Sequence, residues 1–594
     1  MAFLPTTKKE IENLGWDSVD VIFVSGDAYI DHPSFGAAVI SRHLEACGFR
    51  VAILAQPNWK DDLRDFKKLG KPRICFAVSS GSMDSMVNHY TAAKRKRNDD
   101  AYTPGGQSGF RPDRATVVYS KILKSIYPDT PVLIGGIEAS MRRLAHYDYW
   151  EDRLFPSILL ESKADLLIYG MGEKICEKIC RRLSEGESIK DLNDIAQIAY
   201  VEKGDVKPSD VADCYLHSFE DCLKDKRKQA ENIATFEKNS NKYNAERLIQ
   251  VYEREKLKVV VNPFDQTYSS ADLDNIYQLP FERKPHPKYV KRGPIPAFDM
   301  IKYSVNIHRG CFGGCAFCTI AAHQGKRIIS RSEASIMQEI KQISQDKDFK
   351  GYLSDLGGPS ANMYLMKGKD ESLCKKCTRA SCLYPSLCKN MNNDHRPLLN
   401  LYKKVRELPY IKKVFIGSGV RYDLFDKSEY FETLVRYHVS GRLKVAPEHS
   451  SENVLKAMRK MSFDQFVDIK KRFEMINSKY GLNQQLIPYF ISSHPVCTLK
   501  DMALLALKTA ELGYKLEQVQ DFTPTPMTIS TEMYYTGYDP MTLKRVFVER
   551  NPEAKKCQNR VFFWYKPENK IWANNIFKKY NLPIPKIKTD RIKR

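Results

Sequence analysis

Three cysteines spaced three and then two residues apart, in HRGCFGGCAFC, put the thiols of Cys311, Cys315 and Cys318 on one short loop. Thiolates are the usual ligands of iron-sulfur clusters, and glycines at 310, 313 and 314 let the backbone curl until the sulfurs converge. Three sulfurs are one short of a cubane. The spacing therefore predicts either a distant fourth cysteine or an iron left open for a small molecule. Zinc completed by His308 or His323 is the competing reading, with unligated thiols behind it.

The motif follows a strand-like run at 303–307. Five further runs lie at 351–355, 413–417, 443–447, 485–491 and 517–522, each followed by a helical or loop segment. Six strands with crossovers predict a partial parallel (β/α)6 barrel over 297–555, and such barrels carry their chemistry on loops at the carboxyl ends of strands. Upstream, 21–25, 51–55, 74–78, 132–134 and 166–169 are nearly continuously apolar, as buried parallel strands are. Helical patterns at 37–47, 116–126 and 173–183 fit between them, so 1–185 reads as a doubly wound, Rossmann-like α/β domain. Its ligand edge would carry Gly26, Asp27, the Asp31-His32 pair, Gly135-Gly136 with Glu138, and Gly170 and Gly172. Residues 186–296 read as a helical or irregular connector, with a charged helical stretch around 219–242 and a probable strand at 258–261. Residues 556–594 read as a basic tail, partly disordered, because 551–594 hold 12 Lys/Arg against 3 Asp/Glu.

A second cysteine set, CKKCTRASCLYPSLC, inserts Cys374, Cys377, Cys382 and Cys388 between the second and third barrel strands. Four thiols within fifteen residues are a complete ligand set for zinc or for an auxiliary iron-sulfur cluster, and the spacing does not choose between them. A reduced, cysteine-rich surface loop is the reading without a metal.

Composition narrows the partners. At 42% hydrophobic and 28% charged residues the chain reads as globular, and it has no apolar run long enough to cross a bilayer. The opening MAFLPTTKKEIENLGW lacks the order of a secretory signal, so a cytoplasmic location and reduced thiols are expected. A net charge of +22 suits an acidic partner, RNA among them.

With Phe317 before its last cysteine, the CxxxCxxC motif resembles that of the radical S-adenosylmethionine superfamily. The stretches GDAYIDHPSFG, YTPGGQSGFRPDRA, GGIEASMRR, LPFERKPHP, HRGCFGGCAFC and VAPEHS, in that order, resemble the YgiQ family of that superfamily over most of the chain. The resemblance implies a [4Fe-4S] cluster on Cys311, Cys315 and Cys318, S-adenosylmethionine on the open iron, and a 5′-deoxyadenosyl radical acting on an unknown substrate. An electron donor such as flavodoxin or ferredoxin is implied with it. It also points to Gly357 and Gly358 for the methionine amino group, and to Ser418, Arg421, Glu448 and His449 for carboxylate and ribose. The amino-terminal domain resembles cobalamin-binding domains, but Asp31, His32 and Gly36 break the DxHxxG pattern, so cobalamin is a secondary expectation. The alternatives are an RNA-modifying, methylthiotransferase-like enzyme and a non-catalytic iron-sulfur or zinc protein. The former carries a three-cysteine cluster in its amino-terminal domain, where this chain has scattered Cys47 and Cys75 and a Cys176/Cys180 pair at helical spacing.

Overall fold

The computed structural model describes residues 3–425, 429–515 and 517–586. Five parallel strands, β1 (Val21–Ser25), β2 (Val51–Ala55), β3 (Cys75–Ser79), β4 (Val132–Gly135) and β5 (Leu166–Ile168), form the first part of the fold in the order β2-β1-β3-β4-β5. Each is apolar on both faces because helices cover both sides, among them α1 (Gly36–Ala46), α2 (Ala115–Ile126) and α3 (Glu173–Ser184). Strand order reverses between β1 and β3, which makes their carboxyl ends the crevice of this domain.

Residues 186–296 differ from the expected connector. Four strands, β6 (Ile198–Lys203), β7 (Asp213–Tyr215), β8 (Arg247–Tyr252) and β9 (Leu257–Val261), extend the same sheet to nine strands beyond β5. β6 runs antiparallel to β5, β9 to β6 and β8 to β9, while β7 runs parallel to β8. Ile198, Tyr200, Ile249 and Val260 thereby join the core of the parallel strands. Helix α4 (Lys226–Ser240) separates β7 from β8 in sequence, so a local reading has no cue that they pair.

The carboxyl-terminal half builds its barrel from β10 (Ser304–Asn306), β11 (Tyr352–Leu353), β12 (Asp355–Gly357), β13 (Lys413–Val414), β14 (Arg442–Glu448), β15 (Gln485–Ser492) and β16 (Gln520–Asp521). β11 and β12 are two pieces of one run: β12 pairs with β10 and β11 with β13, while β14, β15 and β16 form a second parallel group. The six expected runs are thus all present. Residues 529–579, after the last strand, form α5 (Ile529–Thr536), α6 (Pro552–Phe562) and α7 (Pro567–Lys579). Val561, Phe562, Ala573 and Phe577 enter the barrel core, so 556–579 is packed structure where a basic tail was expected. Charge counting missed this because it sums the lysines without weighing the buried Val561, Phe562, Ala573 and Phe577 on the same helices. The expected disorder at the end falls on residues 587–594, outside the described residues.

Buried histidines tie barrel stability to pH. His438 bonds Val414 O through Nδ1 at 2.9 Å, and burial pushes both His438 and His449 down to about 4. The unfolded chain protonates each near its ordinary value of about 6.5, so between there and pH 4 the folded state binds fewer protons and loses stability as pH falls. Urea unfolding at pH 7 and pH 5 should show the loss. His438→Asn should flatten the slope by up to about 1.4 kcal/mol per pH unit; an unchanged slope would refute the assignment.

Candidate metal centre

β10 feeds directly into the cysteine loop. The Cys311 thiol is buried, takes a hydrogen bond from Gly313 N at 3.4 Å and lies 3.7 Å from Ser360 Oγ. Arg421 NH1 donates to Cys315 Sγ at 3.1 Å, while its Nε donates to Asp423 Oδ1 at 3.0 Å. A Cβ at position 313 would sit 2.6 Å from that guanidinium, so only glycine lets Arg421 reach the sulfur. Burial opposes the charge on Arg421, but Asp423 and the Cys315 and Cys311 sulfurs outweigh it and hold the guanidinium charged. Burial also pushes the Cys311 thiol up and Cys318 to about 12. Sulfurs so placed become thiolates only when a metal takes the charge, so this donor set fits an iron-sulfur cluster.

The residues expected to hold S-adenosylmethionine divide. Gly357 ends β12 and Gly358 follows, where a Cβ would lie 2.6 Å from the His308 ring. His308 is fully buried, is pushed down to about 4 by that burial, and has both ring nitrogens without a partner among the described residues. The bare backbone of Gly358 thus makes room for the His308 imidazole that packs against it. Ser418 stands next to it, held by Asp355, which also accepts from Gly417 N at 2.8 Å and from Ser418 N at 3.1 Å. Glu448 is buried in left-handed backbone (φ 65°), 3.6 Å from Lys460 Nζ and within the field of Arg421. His449 points away: its Nδ1 accepts from Ser451 N at 2.9 Å and its Nε2 lies 3.5 Å from Cys497 Sγ. Sequence reasoning missed Asp355, Asp423, Lys460 and the proximity of His308 to Gly358. Its one available signal was the position of His308 three residues before Cys311.

The amino-terminal sheet presses its carboxyl edge onto this loop. Glu173, first residue of α3, pairs with Arg309 of the HRGC segment, and Ser140 Oγ lies 3.0 Å from His323 Nδ1. Burial would raise Glu173, but the Arg309 charge and hydrogen bond win and hold it below the carboxylate range. The crevice between β1 and β3 is filled from within. Arg111 reaches Asp27 and Asp100 at 3.1 Å each and Ser80 O at 2.7 Å. His32 Nδ1 accepts from Ser34 N and its Nε2 meets Arg283, so neither nitrogen is free for cobalt. Cobalamin ligated through this histidine does not fit these residues. Cys75, Cys176 and Cys180 do gather, but in the apolar core at the amino end of β3, on the edge away from the cluster loop.

Comparison with known proteins agrees with this architecture. A family model described as radical SAM N-terminal matches residues 3–304, one described as radical SAM superfamily matches 305–479, and a domain of unknown function, DUF3362, matches 517–575. The UPF0313 protein of Porphyromonas gingivalis is 59% identical over 578 residues, covering 95% of this chain and 91% of the relative. That of Bacteroides thetaiotaomicron is 58% identical over 590 residues, covering 96% and 95%. A structure of the radical S-adenosylmethionine methyltransferase TsrM from Kitasatospora setae, with cobalamin and a [4Fe-4S] cluster bound, shares the fold at 15% identity and a TM-score of 0.50, covering 86% of this chain and 77% of that one. The class is therefore a radical S-adenosylmethionine enzyme, with a [4Fe-4S] cluster and S-adenosylmethionine as its cofactors. Within that class the chain belongs to the UPF0313 family, the YgiQ family of the sequence analysis. Among the described residues no helix is long and apolar enough to cross a membrane.

Gly358→Ala drives a methyl into the His308 ring and should cost about 1–3 kcal/mol by overpacking. Chemical denaturation of Gly358→Ala, His308→Ala and the double variant should give strongly non-additive losses. Additive losses would mean that the two do not touch.

Proposed function

We propose that Cys311, Cys315 and Cys318 hold the [4Fe-4S] cluster in a cytoplasmic enzyme and leave one iron for S-adenosylmethionine. The observation that carries this is the placement of three thiols on one loop directly after β10, with the Arg421 guanidinium 3.1 Å from Cys315 Sγ. Bound there, cluster and cofactor supply a 5′-deoxyadenosyl radical able to take a hydrogen atom from a substrate. The chain's own part is to position and to exclude. Gly357 and Gly358 offer bare backbone to the methionine, and His308 offers a buried nitrogen as acceptor. Glu448 and Lys460 supply a buried acid and cation for the polar groups beyond it. Arg421 offsets the negative sulfurs, Asp423 fixes its orientation, and the amino-terminal domain keeps water from the loop through Glu173 and Arg309. A flavodoxin- or ferredoxin-class protein would supply the electron, and reduced thiols suit the reducing cytoplasm.

Anaerobic protein reduced with dithionite should release 5′-deoxyadenosine from S-adenosylmethionine, and Cys315→Ala should release none. Product from Cys315→Ala would overturn the ligand assignment.

RNA is the second substrate reading, carried by the charge of +22 and by exposed lysines such as Lys570 and Lys578 on α7. Binding to RNA should then weaken steeply between about 50 and 200 mM salt, and Lys570→Glu with Lys578→Glu should make the slope shallower. Salt-independent binding would remove this reading.

A further inference from the structure

Residues 369–390 form a flap closed at its base by two short strands, Lys367–Gly368 and Met391–Asn392, paired antiparallel. Within it the described regular structure is one five-residue helix, Glu371–Lys375, and Leu373 and Leu387 face solvent. A segment this long and this poor in apolar burial needs another source of order. Its four cysteines are placed to supply one.

Cys374, Cys377 and Cys382 open onto one cavity of about 510 Å³ that also touches Phe312, Tyr243 and Arg327. Cys388 N donates to Cys382 O at 2.8 Å, which holds the fourth cysteine against the third. N–H groups aim at the sulfurs: Asn390 Nδ2 donates to Cys374 Sγ at 3.3 Å and Arg379 N to Cys377 Sγ at 3.4 Å. Such bonds accompany cluster thiolates and tune their potential. Among the described residues no three of these sulfurs lie within 4.8 Å of one another, and the same holds for Cys311, Cys315 and Cys318.

The flap is also built into the first site. Cys382 N donates to Phe312 O at 3.0 Å, and Ser381 Oγ donates to Gly313 O at 2.6 Å. A Cβ at Gly314 would lie 2.2 Å from Ala380 O, so the two loops are in backbone contact. Cys382 and Cys388 share one apolar cluster with Cys311, Phe312, Met363 and Met366. From a ligand of the second set to a ligand of the first the path is one hydrogen bond and one residue.

We propose that Cys374, Cys377, Cys382 and Cys388 hold a second [4Fe-4S] cluster that relays single electrons to the first. Four thiolates leave no open iron, so the site cannot grip S-adenosylmethionine and is suited to electron transfer. In each transfer the reduced second cluster loses one electron and the oxidised first cluster gains it. A one-electron donor of flavodoxin or ferredoxin class then reduces the second cluster again. The relay rests on the ligand assignment of the first cluster, but the second site does not.

Wild-type protein reconstituted with ferrous iron and sulfide should hold about eight irons and eight sulfides per chain, and a variant lacking Cys311, Cys315 and Cys318 about four of each. That variant should give a paramagnetic signal on dithionite reduction. One zinc per chain, or no metal, in the variant overturns the second site. Iron retained there while wild type fails to cleave S-adenosylmethionine would instead sink only the first assignment. For the relay, 5′-deoxyadenosine formation by wild type and by Cys382→Ala is measured with reduced flavodoxin and with dithionite. The flavodoxin-to-dithionite ratio should fall at least tenfold in Cys382→Ala. Should that variant not fold, magnetic interaction between the two reduced clusters of wild type decides the matter, and isolated signals overturn the relay. An unchanged ratio overturns it equally.

Discussion

The structure depends on burying sulfurs that must become anionic in a loop with no regular structure to hold it. An isolated thiolate in such a place is costly, and burial shows the cost by driving Cys318 to about 12. Two terms offset it. Coordination of the proposed cluster would take up the thiolate charge, and the Arg421 guanidinium sits on Cys315 with Asp423 preventing it from turning elsewhere. Around the loop, every neighbour is a fixed partner. Glu173 grips Arg309, Ala316 N donates to Met458 O, and Ser530 N at the start of α5 donates to Ala316 O. Packing from four directions does for this loop what a ladder of hydrogen bonds does for a strand.

The same economy explains the amino-terminal domain. A doubly wound sheet offers a crevice where strand order reverses, yet here Arg111, Asp27 and Asp100 close it as a buried ion network. Removing one partner would leave an uncompensated charge, so the network locks the insert between β3 and α2 in place. Asp31 is likewise committed, to Arg42 and to Glu282 N. The polar residues at this edge are therefore ties between segments far apart in sequence. The domain's contribution is a rigid wall against the cluster loop, anchored at Glu173 and Ser140.

Legibility followed the range of the interactions. The six barrel runs and the five parallel strands were readable because continuous apolar stretches between helical patterns are local signals. The spacing of Cys311, Cys315 and Cys318 was visible because it is local in sequence. β6 to β8 were not, since β7 pairs with a strand some thirty residues away across a charged helix. The helices after the barrel were hidden by composition, which sums lysines without asking which side they occupy. Arg421 was noticed as a polar residue at a strand end, but its commitment to a sulfur more than a hundred residues away is a tertiary fact. Asp355 and Lys460 left no trace at all, because nothing in their neighbourhoods distinguishes them from surface charges.

The end of β14 shows how one residue sets the polarity of the site. Pro447 has no N–H to give the ladder, and the register with β15 shifts between Val445 and Glu448. Freed from the ladder, Glu448 adopts left-handed backbone, a conformation costing ~1–3 kcal/mol for a residue with a side chain. The carboxyl is then buried, which raises its affinity for a proton, and Lys460 and Arg421 pull the other way. A simple strand end would have left this acid in solvent at no such cost. Strain and desolvation together are accepted only where surrounding structure over-determines the position, and here that position lies beside the guanidinium that supports Cys315. The break at Pro447 thus puts a buried acid within the field of the cluster loop, which an unbroken strand, alternating faces, could not do at the same residue.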